Sequence, residues 1–540
     1  MRDTSIWLAL RNPTFRALWL ATLVSGTCIA AHNMAAFSVL GETENSAFLI
    51  SQMATLSALP FAVFTLPAGT LADIVDRKKI LCAVNLWQAL IAACLMTLGL
   101  THVLNPWAIL ASAFLFNLGF AFGSPASSSV VTEMVSKEEL ASANTLGSLH
   151  INIGGVIGPL IGAFLIPIVG ASVVFGINGL GFLFLFLAIL RWKQPRKQTD
   201  LPLEDFFTTL TTAINYLRYG PGIKVIVMRS VVFSFFISII PTLIPVVGVK
   251  RLHLDPAHLG YLFTSMAIGS VVGAVFITSW ARARFSPNKL TICANLLLVS
   301  VGFLMALVDH PHVFMLVAAL GGAGWTLTAS ELWIAGQRAM PDWARGRMNA
   351  TIIMASQAAT ALGGLVWGAA AEEVGVVATF LALGFFAVLA MLFVHVIWKE
   401  LSIDFATDLD FEPAQFAILS YNVDPGGLTK AKANVLCVST EFVVDPARRD
   451  QFIGLMREAR LICLRNGAHR WHLYEDVIQP GKFIMEVESS SGNEYLRLRE
   501  RMTKAEKDLM DQISNLHADS NPREFARILI DQEVLERRSS

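Results

Sequence analysis

Charged side chains are scarce in this sequence. They make up 15% of its 540 residues, against about 25% in an ordinary soluble domain, whereas 54% of the residues are hydrophobic. An excess of basic residues is also lacking, because 41 basic side chains balance 41 acidic ones, and this balance argues against a nucleic-acid-binding protein. The composition disfavours a soluble enzyme along the whole length and indicates a membrane protein.

Cysteine is sparse as well. The six cysteines show no spacing typical of metal ligands, and four of them (Cys28, Cys82, Cys94, Cys293) fall in strongly apolar stretches. A framework of disulfide bonds is therefore not expected. We likewise predict neither a bound metal nor a cofactor.

Long hydrophobic runs dominate the first 400 residues. A membrane-spanning helix needs about 20 apolar residues, and the chain offers twelve such runs. The first run lacks a small-residue cleavage site and is followed at once by others, so we interpret it as a span and not as a signal peptide. The twelve predicted spans cover residues 15–39, 48–72, 80–101, 106–131, 143–167, 171–190, 225–248, 258–280, 289–308, 312–336, 348–371 and 376–398.

The basic residues predict the orientation of these spans. Residues 1–400 contain 23 Lys and Arg, and alternate assignment of the breaks places 21 of them on the side of the amino terminus. Only Lys250 and Arg251 fall on the opposite side. Because cytoplasmic loops hold the excess of basic residues, we expect a multi-pass protein with both termini in the cytoplasm.

Composition also predicts the domain organisation. An amino-terminal half with six spans (1–190) precedes a basic linker with an amphipathic helix (191–222), which we expect to lie in the membrane interface. A second half with six spans (223–400) and an acidic linker (401–430) follow. Residues 1–400 carry a net charge of +5 and residues 401–540 one of −5, so the neutral total is the sum of two different parts.

The last 110 residues (431–540) predict a small α+β domain. Strands are expected near 435–444, 469–477 and 482–489, with helices from 446 to about 465 and from about 492 to 516. The order βαββα predicts a ferredoxin-like cytoplasmic module. The predicted fold class is thus an all-α bundle of twelve transmembrane helices in two six-helix halves, followed by this domain.

The two halves retain a trace of an internal repeat. A shift of 205 residues aligns Asn144 with Asn349 and Gly158 with Gly363, and the loop 69–79 has a degraded counterpart around 280–289. The loops that enter spans five and eleven thus correspond, as do the loops after spans two and eight, and we assign all four to the same side of the membrane. Transporters are often built from repeated halves.

Two motifs stand out in the amino-terminal half. Gly69, Asp73, Arg77 and Lys78 follow the second span, where the glycine allows a close turn and the charged residues can cap a helix or form ion pairs. In the fifth span the small residues Gly154, Gly158 and Gly162 allow a close helix contact, and Pro159 removes a backbone donor. A tightly packed helix pair would explain the second motif equally well.

These motifs resemble those of the major facilitator superfamily. The stretch 69–79 is similar to its loop Gly-x-Leu-Ala-Asp-x-x-Gly-Arg-Lys, with Asp76 in place of the second glycine, and 154–162 is similar to its antiporter motif. Residues 125–144 and 341–347, which include Arg345 and Arg347, resemble the bacterial branch that contains the enterobactin exporter. The resemblance implies a gate at Gly69, Asp73, Arg77 and Lys78, and proton-driven export from the inner membrane.

Polar residues at membrane depth are the remaining candidates for a site, because they are costly to bury there. Glu331 and His32 are candidate proton carriers, with an ion pair near the helix end and a buried structural histidine as the alternatives. Candidates for the lining of a cavity are Asn33, His150, Asn152 and Trp325, with Trp333 and Trp367 nearby. An aromatic and apolar lining suits amphiphilic, aromatic or drug-like cargo, and the resemblance to the branch of the enterobactin exporter implies a siderophore as a further candidate.

Three functional interpretations follow. The first is proton-coupled export of small hydrophobic or amphiphilic molecules by alternating access, with lipid, cargo and protons as the partners. The second is uptake by the same fold. The third is a membrane-tethered enzyme or sensor, because the carboxyl-terminal domain resembles antibiotic-biosynthesis-type monooxygenases, small folds that usually dimerise, and His469, His472 and Tyr474 could serve such a site. Since no pair of a nucleophile and a base is evident there, we predict a transporter and not an enzyme.

Overall fold

The computed structural model describes residues 7–43, 46–136, 139–192, 206–220, 222–392, 435–518 and 522–528. These residues divide into two compact units. The first contains the helices up to Trp192 and those within 225–335 and 349–392. The second contains residues 206–224, 336–348 and the carboxyl-terminal domain.

Fifteen α-helices precede the carboxyl-terminal domain in the described part of the chain. Two of them are continued by π-helical turns, α9 by Val247–Arg251 and α10 by Gly273–Ile277. The helices are α1 Pro13–Gly41, α2 Ser46–Ile74, α3 Arg77–Leu100, α4 Pro106–Met134, α5 Leu140–Val169, α6 Ala171–Arg191, α7 Phe206–Tyr219, α8 Ile223–Ile237, α9 Ile239–Val246, α10 Pro256–Val272, α11 Thr278–Arg282, α12 Pro287–Leu307, α13 Pro311–Arg338, α14 Asp342–Glu373 and α15 Val376–Leu392.

Eleven helical segments among the described residues are long and apolar enough to cross a membrane. They match the first eleven predicted spans, with α8 and α9 in one segment, Ile223–Arg251, and α10 and α11 in another, Pro256–Arg282. A shorter apolar helix, Val376–Ala390, begins where the twelfth span was predicted. The rest of that predicted span, 393–398, lies outside the described residues.

Helix starts in the bundle follow one local rule. The pairs Asn12-Pro13, Asn105-Pro106, Asp255-Pro256 and Ser286-Pro287 each begin a span, with the polar residue as N-cap and proline at the first helical position. The cap side chain accepts hydrogen bonds from backbone N–H groups of the first turn, and proline has no N–H group to leave unpaired.

The carboxyl-terminal domain has a four-stranded antiparallel sheet. Its strands are β1 Leu436–Val443, β2 Arg470–Glu475, β3 Lys482–Ser489 and β4 Arg523–Ile528, and the sheet order is β2-β3-β1-β4. The helices are α16 Arg449–Asn466, α17 Gly492–Glu500 and α18 Lys504–Ser514. The first three strands and α16 lie close to their predicted positions.

Two features of this domain differ from the prediction. The expected single helix over 492–516 is two helices, because Thr503 begins α18 as its N-cap in a capping box with Glu506. Strand β4 was not predicted at all. It pairs with the central strand β1, from Leu436 opposite Ile528 to Glu441 opposite Arg523.

The amphipathic helix α7 packs on α16 of the carboxyl-terminal domain. Tyr216 is buried beside the ion pair between Arg465 and Glu506, and Tyr219 packs against the domain core. Burial raises the pKa of the Tyr216 hydroxyl. The sequence predicted a position for this helix in the membrane interface and gave no sign of this packing, because the two tyrosines lie outside the apolar face that carried the prediction. Ile214, which lies on that apolar face, is exposed.

Candidate functional site

A cavity of about 540 Å³ lies between the two halves of the helical bundle. Helices α1, α2 and α4 contribute to its wall from the first half, and α8, α9, α13 and α14 from the second. Its lining residues are Asn33, Phe37, Met53, Ala54, Ser57, Ala58, Asn117, Ser230, Phe233, Ser234, Ile237, Ser238, Pro241, Trp325, Ala329, Leu332, Trp333, Ile352, Ile353, Ser356, Gln357 and Thr360.

The described lining contains no charged side chain. Its polar groups are amides and hydroxyls, and its aromatic groups are two tryptophans and two phenylalanines. Of the predicted lining residues, the structure brings Asn33 and Trp325 together in this wall, with Trp333 beside them. Such a surface can stack on flat apolar groups and exchange hydrogen bonds with neutral polar groups, whereas it offers no counter-charge to an ionic cargo.

Other predicted residues lie elsewhere. His150 and Asn152, on α5, are not among the described lining residues. Trp367 is a core residue, whose indole Nε1 donates to the Phe235 carbonyl oxygen at 2.9 Å. His32 is 3% exposed. It packs within the first half between two phenylalanine rings, so it belongs to that core and not to the cavity wall.

Two contacts surround the His32 ring. Its centroid lies 4.9 Å from that of Phe116 and 4.7 Å from that of Phe175. The alternative considered from the sequence, a buried structural histidine, describes this arrangement better than a proton carrier in the cavity.

The two halves touch each other at several places, among them one end of the bundle. We call the end where α1 begins the near end, and the end where α1 finishes the far end. At the far end the rings of Phe37 and Phe263 stack with centroids 5.5 Å apart. In the same region a Cβ atom on Gly41 would lie 3.2 Å from the Val249 side chain. These contacts close the cavity on the far side.

The loop after the second span holds a buried ion pair. Arg77, at the start of α3, binds Glu133 near the end of α4, whose side chain is 6% exposed. Lys78 donates from Nζ to the carbonyl oxygens of Leu190 and Trp192, at 2.8 and 2.6 Å, and so ties α3 to the end of α6. Three helices of the first half are thus joined at the near end.

Two members of the predicted gate, Gly69 and Asp73, lie near the end of α2. The expectation of a close turn at Gly69 was wrong, because α2 continues to Ile74 and a Cβ atom on Gly69 would have nothing within 4 Å. Asp73 lies in the last turn of α2, and its side chain is outside the described part of the structure. In the second half, Arg345 and Arg347 lie in the first turns of α14, and both take part in polar interactions.

The second half contains an equivalent ion pair. Arg282, at the end of α11, donates from Nε to Glu331 Oε1 on α13 at 2.5 Å, and the Glu331 side chain is 4% exposed. Arg282 is 205 residues after Arg77, the same offset as the sequence repeat. Glu331 lies seven residues, about two helical turns, before the position equivalent to Glu133, so it keeps the same helix face. The structure therefore places Glu331 in an ion pair, and it is not a lining residue of the described cavity wall.

The glycines of α5 serve two different interfaces. On one face, a Cβ atom on Gly158 would lie 2.4 Å from Ala30 Cβ, and one on Gly162 would lie 3.0 Å from the Ala31 carbonyl oxygen. This face packs tightly on α1. On the other face, the Thr264 hydroxyl of α10 donates to the Val156 carbonyl oxygen at 3.2 Å. Helix α5 therefore joins its own half and also contacts the other half.

Two functional candidates, Glu133 and Arg282, were not selected from the sequence. The sequence gives no partner for Glu133, and Arg282 falls in the 280–289 counterpart of the 69–79 loop, which was recognised only as a region. The offset of 205 residues between Arg77 and Arg282 was the available signal. The acidic partners, Glu133 on α4 and Glu331 on α13, are 198 residues apart and not 205. The repeat therefore does not align them, and only the tertiary structure shows that they play equivalent parts.

The model of one protein family, described as transmembrane secretion effector, matches residues 4–534. The chain belongs to the transmembrane secretion effector family. The match includes the carboxyl-terminal domain as well as the helical bundle. This family stands within the major facilitator superfamily that the motifs of the first half indicated, so that identification from the sequence is confirmed.

Relatives of this chain include exporters. Enterobactin exporter EntS of Citrobacter koseri is 24% identical over 72% of this chain and 93% of that protein. Macrolide efflux protein A of Streptococcus pyogenes is 24% identical over 53% of this chain and 71% of that protein. A bacterial homologue of the human lysosomal transporter Spinster, solved in an inward-facing and occupied conformation, shares the fold, with a TM-score of 0.52 and 17% identity over 72% of this chain and 97% of the other.

Proposed function

We propose that this protein exports small, neutral or amphiphilic molecules across the bacterial inner membrane, driven by proton entry. The observation that carries the proposal is the cavity between the halves, lined by aromatic, amide and hydroxyl groups and closed at the far end. The efflux activity named for its relatives supports this direction of transport. Family membership also favours a transporter over the enzyme considered from the sequence.

The proposed topology has twelve spans in two halves of six, with α15 as the described part of the twelfth. The near end of the bundle would face the cytoplasm, because 21 of the 23 Lys and Arg within residues 1–400 were assigned to that side. In this orientation the cavity would open to the cytoplasm, as a state that loads cargo requires. Both termini and the carboxyl-terminal domain would then be cytoplasmic.

We assign the gate to the two ion pairs at the near end. Arg77 with Glu133, and Arg282 with Glu331, would hold each half in the cargo-loading state, and Asp73 and Lys78 would support the first pair. Opening toward the far side needs these helix ends to rearrange against each other. A ligand drives such a change only through its different affinity for the two states.

Proton coupling is proposed to act on the second pair. A proton on Glu331 would remove the charge that holds Arg282, so protonation and release of the gate would be linked. The 4% exposure of the Glu331 side chain supports this assignment, since a buried carboxylate pair responds strongly to loss of one charge. His32, packed between two rings, is the weaker candidate.

The carboxyl-terminal domain is proposed to have a ferredoxin-like fold. The sheet order β2-β3-β1-β4 with helices after β1 and β3 fits the split βαβ pattern. Its two edge strands, β2 and β4, offer positions at which two copies could meet, so the domain is also the proposed dimerisation module.

The decisive experiment measures proton-driven transport of an amphiphilic fluorescent dye in inside-out vesicles. We expect uptake into these vesicles on an imposed inward-acidic gradient, and a loss of at least about fivefold with Trp325→Ala, because a stacking surface of the cavity is removed. Trp107→Ala is the matched control, since Trp107 is 66% exposed at the far end of α4. Equal activity of the two variants would contradict the cavity assignment.

Glu331→Gln tests the coupling. The glutamine keeps the shape of the side chain but cannot titrate, so we expect dye transport to lose its dependence on the proton gradient while exchange of dye without a gradient continues. Unchanged gradient-driven transport and pH dependence in Glu331→Gln would refute the role of this residue, whatever the result for Trp325.

A further inference from the structure

The carboxyl-terminal domain contains a cavity of its own, of about 330 Å³. It lies between the sheet and helices α16, α17 and α18, and its lining comes from β1, β3 and β4 as well as from these helices. The volume is within the range of small-molecule sites, about 300–1,000 Å³. The wall takes residues from both core clusters of the domain, for example Cys463 and Phe442. The cavity is therefore bounded by side chains of both clusters, and Met485 and Met510 of its wall pack against each of them.

The wall combines a large apolar part with the charged residues Arg499, Lys507, Asp511 and Glu524. Four methionines face the cavity, Met456, Met485, Met502 and Met510, together with Phe442 and Leu498 as larger apolar groups. Methionine is flexible and polarisable, and it is over-used at surfaces that accept varied apolar ligands. Four of the 17 methionines of the chain in one small cavity favour binding of an apolar or aromatic body over a site for a single polar metabolite.

One polar atom in this wall lacks a hydrogen-bond partner. Glu524, on β4, lies opposite Thr440 in the sheet register, and its Oε2 atom is buried with no hydrogen-bond partner among the described residues. A buried acceptor without a donor costs about 1–3 kcal/mol, so such atoms need an explanation. Burial raises the pKa of the Glu524 carboxyl, while the charge of Arg499 and the Thr440 hydroxyl act in the opposite direction.

We propose that this cavity is a second ligand site, separate from the transport cavity, for a small molecule with an aromatic or apolar body and one ammonium group. The methionines would surround the body, and the ammonium group would donate to Glu524 Oε2. A ligand with both parts would account for the cavity in the domain core and for the Glu524 Oε2 atom that has no hydrogen-bond partner. The site does not depend on the direction or the driving force of transport.

The position of the cavity indicates where occupancy would act. Met456 and Cys463 of the wall belong to α16, and α7 packs on the same helix. Helix α7 lies in the segment that joins the two halves. A ligand that moves α16 would therefore change the packing of α7 on α16. Occupancy would thus act on the transporter through α7, as a regulatory input from the domain.

The test uses the full chain in lipid nanodiscs with ¹³C-labelled methionine methyl groups. The probe is 1-naphthylmethylamine, and 1-methylnaphthalene is its counterpart without the amine. We expect saturable shifts of the Met456, Met485, Met502 and Met510 resonances, assigned by single Met→Leu variants, with the amine bound at least about tenfold more tightly. This comparison needs no variant of the site itself.

Glu524→Gln provides the second arm. We expect the dissociation constant of the amine to rise about tenfold and that of 1-methylnaphthalene to stay the same. Glu441→Gln is the matched control, because Glu441 lies on the neighbouring strand next to Thr440 and faces the other side of the sheet. Trp325→Ala in the transport cavity should lower dye transport and leave these four resonances responsive, which separates this site from the proposed function.

Three results would overturn the proposal. The first is a response of the four methionines no larger than that of the other thirteen. The second is a shift that grows linearly with probe concentration, as partition into lipid would produce. The third is equal affinity for the amine in Glu524→Gln and Glu441→Gln.

Discussion

At the scale of single residues, the functional candidates are decided by their partners. Glu331 is well inside an apolar run, which made it a candidate for a titrating group facing the cavity, yet its carboxylate binds Arg282. Glu133 was not selected as a candidate, yet its side chain is 6% exposed and binds Arg77. A sequence shows that a charge is present at membrane depth, whereas the partner determines whether that charge titrates, locks a helix or binds cargo.

Glu133→Gln tests the first ion pair at this scale. The substitution leaves the Arg77 guanidinium, which is 23% exposed, without its counter-charge. We expect thermal unfolding to report a loss of about 1–3 kcal/mol, between the values for exposed and for fully buried pairs, and dye transport to fall severalfold. Glu42→Gln, at an exposed helix end, is the control. Stability equal to that of the control would mean that the pair does not hold the helix ends.

At the scale of elements, the glycines of α5 lie on two faces of the helix, and each face contacts a different neighbouring helix. Gly158 and Gly162 meet α1 of the same half, whereas Gly155 meets α10 of the other half at ordinary distance, 3.8 Å from Ala267 Cβ for an added Cβ atom. At this level of the helix, α5 thus combines tight packing on α1 with an ordinary contact to α10, whereas α5 and α10 approach closely at Gly260, nearer the far end. That combination suits a helix that must move against one neighbour and stay fixed to another.

A pair of alanine substitutions separates these two faces. In Gly158→Ala the new Cβ atom meets Ala30 Cβ at 2.4 Å and the Thr27 carbonyl oxygen at 2.7 Å, so we expect a loss of about 1–3 kcal/mol in thermal or denaturant unfolding. Gly155→Ala makes only a van der Waals contact and should be nearly neutral. Gly155→Ala is thus the control for Gly158→Ala, because it is the same substitution in the same helix. Equal losses of stability in the two variants would contradict the tight packing of α5 on α1.

At the scale of the whole bundle, the contacts at the far end define the state of the transporter. Helix α10 of the second half approaches α5 of the first at Gly260, where a Cβ atom would lie 2.5 Å from Ala163 Cβ and 3.0 Å from the Pro159 carbonyl oxygen. Helix α2 meets α14 in the same region, where a Cβ atom on Gly364 would lie 2.6 Å from the Thr55 hydroxyl. The far end can close because Gly260 and Gly364 have no side chain, which lets the helices of the two halves approach closely.

Gly260→Ala is expected to shift the bundle toward the state that is open on the far side. Its Cβ atom holds α5 and α10 apart, so transport should fall about tenfold while the protein stays folded. Met53 lines the cavity, so a cysteine at this position reports access to it. In Gly260→Ala, an impermeant maleimide added on the far side should label Met53→Cys faster. Gly26→Ala adds the same atom where nothing lies within 4 Å, and it should leave both readouts unchanged. Equal labelling in the two variants would contradict the role of Gly260.

Much of the architecture could be predicted because its cause is local. Eleven spans follow from apolar runs, and several begin at polar-Pro pairs such as Asn12-Pro13 that cap a helix without help from distant residues. Strand β4 escaped prediction because its residues, among them Glu524 and Phe525, mix charged and apolar side chains without a clear alternation. It becomes a strand by pairing with β1. The break at Thr503 was missed because a capping box was not sought inside a charged helical run.

The sequence by itself determined what depends on local composition: the membrane character, the positions of eleven apolar spans, the motifs near the second and fifth spans, and the change to a charged domain after residue 400. Only the tertiary structure decided which side chains meet, because residues such as Arg77 and Glu133, or Arg282 and Glu331, are brought together by helices that the chain separates by some 50 residues. The same holds for Asn33 and Trp325 in one cavity wall, and for α7 on the carboxyl-terminal domain. Burial and ion pairing depend on which residues are neighbours in space. At these sites the spatial neighbours are far apart in the sequence, so local patterns do not reveal them.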